Sequence, residues 1–226
     1  MGRAIYVSSV NGDDANSGYA PEKAFRSLRK VNQMEIQPGD QILLERGSVF
    51  VGEYLHLYRG GTKEAPVVVD AYGEGALPRI ETDGNGIWYQ NYGGHLDNVV
   101  HIWKGYLSSA VLLYDAEYIS IRNLEITNNP CVQNERLNQA DRMNRTGVSV
   151  IAKNHGTLHE IELDHLYIHD VEGNIYDKHL NNGGIYMSVS RPDDEEKTGI
   201  ARYDGIHIHH CKVENCRRWG IAAGYT

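Results

Sequence analysis

Apolar and polar positions along this 226-residue chain follow one pattern that recurs three times. Ile119-Ser-Ile-Arg-Asn-Leu-Glu-Ile-Thr-Asn128, Ile161-Glu-Leu-Asp-His-Leu-Tyr-Ile-His-Asp170 and Ile206-His-Ile-His-His-Cys-Lys-Val-Glu-Asn215 align without a gap. Each alternates apolar and polar residues twice, with a one-residue slip of phase in the middle. Alternation predicts strands with one buried face, and the slip predicts a corner between two short strands. The corners are Arg122-Asn123, Asp164-His165 and His209-His210. Asn and Asp suit corners because they tolerate left-handed backbone angles. Leu124, Leu166 and Cys211 then share one apolar column, which predicts a buried thiol at Cys211. A third strand is expected over 147–151, 184–189 and 220–223. Its opening pairs Ala110-Val111, Gly147-Val148, Gly184-Ile185 and Gly220-Ile221 begin 37, 37 and 36 residues apart. A period of that size means stacked supersecondary units.

Three short strands per unit predict an all-β fold, a parallel β-helix. A β-propeller would need four strands per blade and tight hairpins. Asn-Gly at 11–12 and 85–86 is the hairpin signal present, and it falls outside the repeat.

The first 60 residues read differently. Arg3–Ser8 is strand-like. Ala24–Asn32 carries apolar residues at 24, 25, 28 and 31, the spacing of a short amphipathic helix. Pro38-Gly39-Asp40 is a turn, and Gln41–Glu45 starts the next strand. A stack of strands exposes core and edges at its end, so a helix is expected to plug it. The run Tyr6-Val-Ser, Gly12-Asp-Asp, Asn16-Ser-Gly18, Ala24-Phe25, Leu28, Pro38-Gly-Asp40, Ile42-Leu-Leu44 and Gly47 resembles the N-terminal cap of right-handed parallel β-helix proteins of the pectate-lyase-like group. The resemblance implies one domain, with a cap over 1–60 continuous with helical rungs over 61–226. It also implies carbohydrate chemistry, since that group holds polysaccharide lyases, glycoside hydrolases and non-catalytic surface proteins.

Composition narrows the partners. A net charge of −8 argues against a nucleic-acid or anionic-membrane surface. No apolar run is long enough to span a membrane. Three cysteines without metal-ligand spacing imply neither a disulfide framework nor a thiolate metal site. No leader opens the chain, which fits a cytoplasmic protein or a secreted one whose leader is gone. Gly220–Thr226 ends in mid-rung, so the chain reads as the N-terminal portion of a longer protein, with some of the site beyond it.

Sites on regular stacks are built in irregular loops. The connection into the third strand runs 129–146, 171–183 and 216–219 in successive repeats, and stacking in register should set these loops side by side. They carry Asp141, Asp177, Lys178 and His179 as candidate catalytic groups. Arg145, Asn181, Asn182, Tyr186, Arg218 and Trp219 are candidates for holding sugar, with Trp219 and Tyr186 as stacking faces. Asp177 has no counterpart in the other repeats, so a repeat-wide structural role does not explain it. Asp170 aligns with Asn128 and Asn215 and reads as a turn-satisfying column. Glu172 reads as a solvated charge. His207, His209 and His210 suggest a metal cluster, but two face outward on a strand and one sits at a corner, so no metal is expected there.

Glycosidic bond hydrolysis is the favoured reaction; it needs two carboxyl groups about 5–10 Å apart, for which Asp177 with Asp141 or a residue beyond this chain is the candidate pair, and no cofactor is expected. A uronate lyase is the alternative; it would use Lys178, His179, Arg145 and Arg218, with Ca²⁺ as a candidate aid. A glycan-binding or structural β-helix is the third reading, which the uneven loops disfavour.

Overall fold

The structure, a computed structural model, describes residues 2–94, 101–130, 143–175 and 180–224. It is nearly all β. The chain opens with β1 (Ala4–Val7), a 3-10 turn (Pro21–Lys23), α1 (Leu28–Asn32), β2 (Gln41–Glu45), β3 (Val49–Val51) and β4 (Leu55–Leu57). β5 (Val67–Tyr72), β6 (Arg79–Glu81) and β7 (Ile87–Asn91) lead into the long β8 (Lys104–Tyr114). Then come β9 (Ile119–Arg122), β10 (Glu125–Asn128), β11 (Asn144–Ala152), β12 (Thr157–Asp164), β13 (Tyr167–Val171) and β14 (Gly183–Val189). α2 (Glu195–Thr198) precedes β15 (Arg202–His209), β16 (Lys212–Cys216) and β17 (Ile221–Ala223).

From β9 onward the strands visit three sheets in strict rotation. The first sheet runs β1-β2-β5-β9-β12-β15, the second β16-β13-β10-β6-β3 and the third β17-β14-β11-β8-β4. These neighbours are parallel, with Ile119, Ile161 and Ile206 in one register column. The expected parallel stacking of the repeat is thus present, and the apolar residues of all three sheets meet in one core. Leu124 and Leu166 are buried in it, whereas Cys211 is half-buried because its strands lie at the end of each sheet.

Local backbone chemistry makes the corners. Asn123, His165 and His210 hold φ of 56°, 50° and 52°, so the left-handed residue is the second of each expected pair. The recurrent glycine has a packing cause. A Cβ on Gly147 would stand 2.5 Å from Ile168 Cγ2, and one on Gly184 would stand 2.4 Å from Val213 Cγ1. The third sheet therefore enters against the side chains of the second with no room for a methyl group.

Two expectations need correction. The helix is shorter than its apolar spacing implies and begins only at Leu28. Phe25 is drawn into extended pairing with β1, its N–H on Tyr6 O at 2.9 Å and its carbonyl accepting from Ser8 N at 2.8 Å. Leu28 and Val31 still enter the core, and α1 packs on β4. Asn85-Gly86 is also not a hairpin turn. The antiparallel pair in this region is β7 with β8, and its connection runs through 92–103.

That antiparallel strand changes the third sheet. Trp88 of β7 lies over Leu107, Leu112 and Ile151, making a second small apolar cluster on the outer side. β11 is consequently buried along its whole length on both faces, where one buried face was expected.

Candidate active site

The described parts of the three uneven loops touch one another in order. The Arg145 N–H donates to Asn182 Oδ1 at 3.0 Å, and the Arg145 guanidinium donates to Glu172 O at 3.1 Å. Arg217 Nε donates to both Glu172 oxygens, at 3.1 and 2.8 Å. Gly184 N donates to Trp219 O at 3.0 Å. The expected convergence on one side of the stack holds for these segments.

Within that convergence the sequence candidates fall into different environments. Arg145, Asn181, Asn182 and Tyr186 are buried, Arg218 is half-buried, and Trp219 is 47% exposed. Asn181 is gripped by the β7 strand: it accepts from Gln90 Nε2 at 2.7 Å, and its own N–H donates to Gln90 Oε1 at 2.9 Å. Asn182 donates to Asn174 O. These groups brace the loop. Tyr186 offers little open ring, while Trp219 offers a broad face with the Arg218 guanidinium 5.7 Å from its centroid. Asp141, Asp177, Lys178 and His179 lie outside the described residues.

Several participants were not legible from the repeat. Beneath the loops runs a buried hydroxyl and amide cluster. Ser109, Thr146 and Ser149 hydroxyls share bonds of 2.6, 3.1 and 2.9 Å, and Trp88 Nε1 donates to Ser109 at 2.8 Å. Asn128 Nδ2 donates to Thr146 O at 3.0 Å, and its Oδ1 accepts from Gly84 N at 2.9 Å. Polar residues recurring inside strands flanked by Val and Leu were the available signal. They need partners because β7 closes the outer face above them. Part of the strand face expected to meet substrate is therefore covered.

Asp170 is the main revision. The gapless repeat aligns it with Asn128, but in the structure Asn128 pairs with Val171. Asp170 is the extra residue of a β-bulge, at φ 49°, and Asn215 repeats the bulge at φ 52°. A bulge re-aims a side chain at the end of pairing. The Asp170 carboxylate is 43% exposed and stands where β13 runs into the 171–183 loop. His169 Nδ1 lies 2.7 Å from it, and His169 Nε2 lies 3.0 Å from Glu125 Oε1. The bond from His169, then that from Asn215, holds the Asp170 carboxyl below the usual carboxylate range despite partial burial. Glu172 is likewise no solvated charge; Arg217 covers it, leaving 14% of its side chain exposed.

No protein-family model matches the sequence. A protein from Bifidobacterium longum subsp. longum named lacto-N-biosidase is 39% identical over 257 aligned positions, covering all of this chain and 16% of that protein. The crystal structure of a GH136 lacto-N-biosidase from Eubacterium ramulus, as its selenomethionine derivative, superposes with a TM-score of 0.96 at 56% identity. That match covers all of this chain and 36% of the solved one. The native protein gives a TM-score of 0.95 at 55% identity. The chain thus spans about a third or less of the relatives it matches.

Proposed function

We propose that this chain is part of a glycoside hydrolase that releases a lacto-N-bioside unit from an oligosaccharide, built on a right-handed parallel β-helix. The observation that carries the reading is a match along the entire chain to proteins named lacto-N-biosidase, at 39% and 56% identity. Rotation of successive strands through three parallel sheets supports the β-helix, and the near-universal hand of parallel crossovers supports the right-handed form.

Hydrolysis with either stereochemistry uses two carboxyl groups flanking the glycosidic bond. Asp170 and Asp177 bracket one short stretch of chain at the loop entrance. Asp170, kept ionised by His169 and Asn215, supplies the charged member of the pair. Asp177 supplies the second, with Asp141 as a neighbouring candidate. Arg145, Asn181 and Asn182 hold the loop that carries Asp177, and Trp219 gives a sugar ring an aromatic face. Two carboxyl groups, water and a positioned sugar complete the chemistry, so the reaction calls for no cofactor.

The test is an assay of an enzyme preparation that contains this chain, on p-nitrophenyl lacto-N-bioside, p-nitrophenyl lactoside and a uronate glycan. The expected result is nitrophenol release from the first substrate alone. Release of an ultraviolet-absorbing unsaturated uronide would replace the hydrolase reading with the lyase one.

A further inference from the structure

Away from the loops, three imidazoles crowd one carboxylate at the corner between the first and second sheets. Asp164 Oδ1 lies 2.6 Å from His165 Nδ1, 2.9 Å from His209 Nδ1 and 3.0 Å from His210 Nδ1. The His209 and His210 Nδ1 atoms are 2.9 Å apart, and the His165 and His210 rings stack at 4.6 Å. Register explains the gathering: Asp164 pairs with His209 across the β12–β15 ladder, and the corner residues follow.

Proton bookkeeping separates this cluster from an ordinary hydrogen-bond network. His209 Nε2 is 3.1 Å from Glu162 Oε1, and Ser120 donates to the other Glu162 oxygen at 2.5 Å. A carboxylate on Nε2 keeps the proton there, so in neutral His209 the Nδ1 lone pair faces the Asp164 oxygen and His210 Nδ1. That lone pair and the Asp164 oxygen face each other at 2.9 Å, a contact that a cation between them relieves. A carboxylate behind a histidine is also the usual support of a metal-bound imidazole.

The molecule contains its own comparison. Two cycles earlier the same corner holds Asp70, with Arg122 Nε donating at 3.0 Å and Asn123 Nδ2 at 2.7 Å. Both partners there are N–H donors, and the corner closes on itself. Replacing Arg and Asn by two histidines, and adding His165, turns donors into ligands.

We propose that Asp164, His165 and His210, whose ligand atoms lie within 4.8 Å of one another, bind a divalent transition ion, zinc first, with the adjacent His209 Nδ1 turning in as the fourth ligand, and that the ion clamps the β12–β13 corner to the β15–β16 corner. Three imidazole nitrogens and one carboxylate oxygen form a donor set suited to zinc, copper or nickel and unsuited to calcium or magnesium. Four protein ligands leave no open position, so the site is structural. His207, one of the histidines grouped with His209 and His210 in the sequence, is not part of it; its ring faces Glu160 at 3.3 Å.

The chelator-treated 226-residue chain is titrated with zinc sulfate by calorimetry at neutral pH, and separately with cobalt chloride in the visible region. One zinc per chain, proton release, a raised unfolding temperature and a tetrahedral cobalt spectrum are expected. His210 is 65% exposed, so His210→Gln leaves the fold intact, which circular dichroism checks. That variant should bind zinc at least about tenfold more weakly and lose the cobalt spectrum, as should Asp164→Asn. His207→Gln should match the parent. Equal zinc binding by the parent and His210→Gln, or no saturable binding by the parent, overturns the proposal and leaves the corner held by protons.

Discussion

Gln90 and Asn181, 91 residues apart, grip each other by two reciprocal hydrogen bonds of 2.7 and 2.9 Å in a nearly water-free setting. This is the joint between the antiparallel strand and the loop of the candidate site. Removing one partner strands a buried donor or acceptor, so Gln90→Ala and Asn181→Ala should each cost about 1–3 kcal/mol. Because both lose the same pair, the double variant should cost clearly less than the sum, read by urea unfolding in a double-mutant cycle.

Asp170→Asn should be quiet structurally, since Asn215 already occupies the equivalent bulge at a left-handed angle. If the carboxylate takes part in cleavage, turnover should fall by about 10²-fold or more with KM little changed. Asp177→Asn should behave alike. Full turnover in either variant, measured on the aryl lacto-N-bioside, would return that residue to a structural role.

His56 is buried, with Nε2 donating to Ser109 O at 2.9 Å, and burial pushes its pKa down to about 4. The unfolded chain protonates His56 near its ordinary value, whereas the folded chain resists until much lower pH. Stability should therefore fall as pH drops from about 6.5 to about 4, by up to about 3 kcal/mol from this group, and level off below. Parent and His56→Asn unfolding curves across that range isolate the term; parallel pH profiles would contradict it.

Glycines in one recurring position should differ sharply. Gly147→Ala sets a methyl group against Ile168 and the Gly184 carbonyl, and should cost about 2 kcal/mol or more. Gly220 has open space at the same position, so Gly220→Ala should stay within about 0.5 kcal/mol. Thermal unfolding of the two variants gives the comparison.

Periodicity exposed what each residue does with its sequence neighbours. The slip at 164–165 gave away the corner, and the glycine spacing gave away the tight entry into the third sheet. Periodicity also stacked the corners 122–123, 164–165 and 209–210, which sets His209 and His210 against Asp164. It was silent on what lies outside the repeat: nothing near Trp88 indicates that it lies over Ile151. The bulge at Asp170 escaped because a gapless alignment assigns one residue to each partner, and a bulge breaks that count. Glu172 looked solvated because Arg217 reaches it only through the stack.

The corner edge has a consequence for how such a chain can change length. Asp70, Arg122, Asp164 and His209 succeed one another along it, acid alternating with base. Losing one repeat would set Asp70 beside Asp164, and like charges directly opposite on neighbouring strands repel, or would set Arg122 beside His209 and take from each its carboxylate partner. Losing or gaining two repeats together would preserve the alternation. The edge behaves as a parity mark: even changes in repeat number pass without electrostatic conflict, and odd ones demand a compensating substitution.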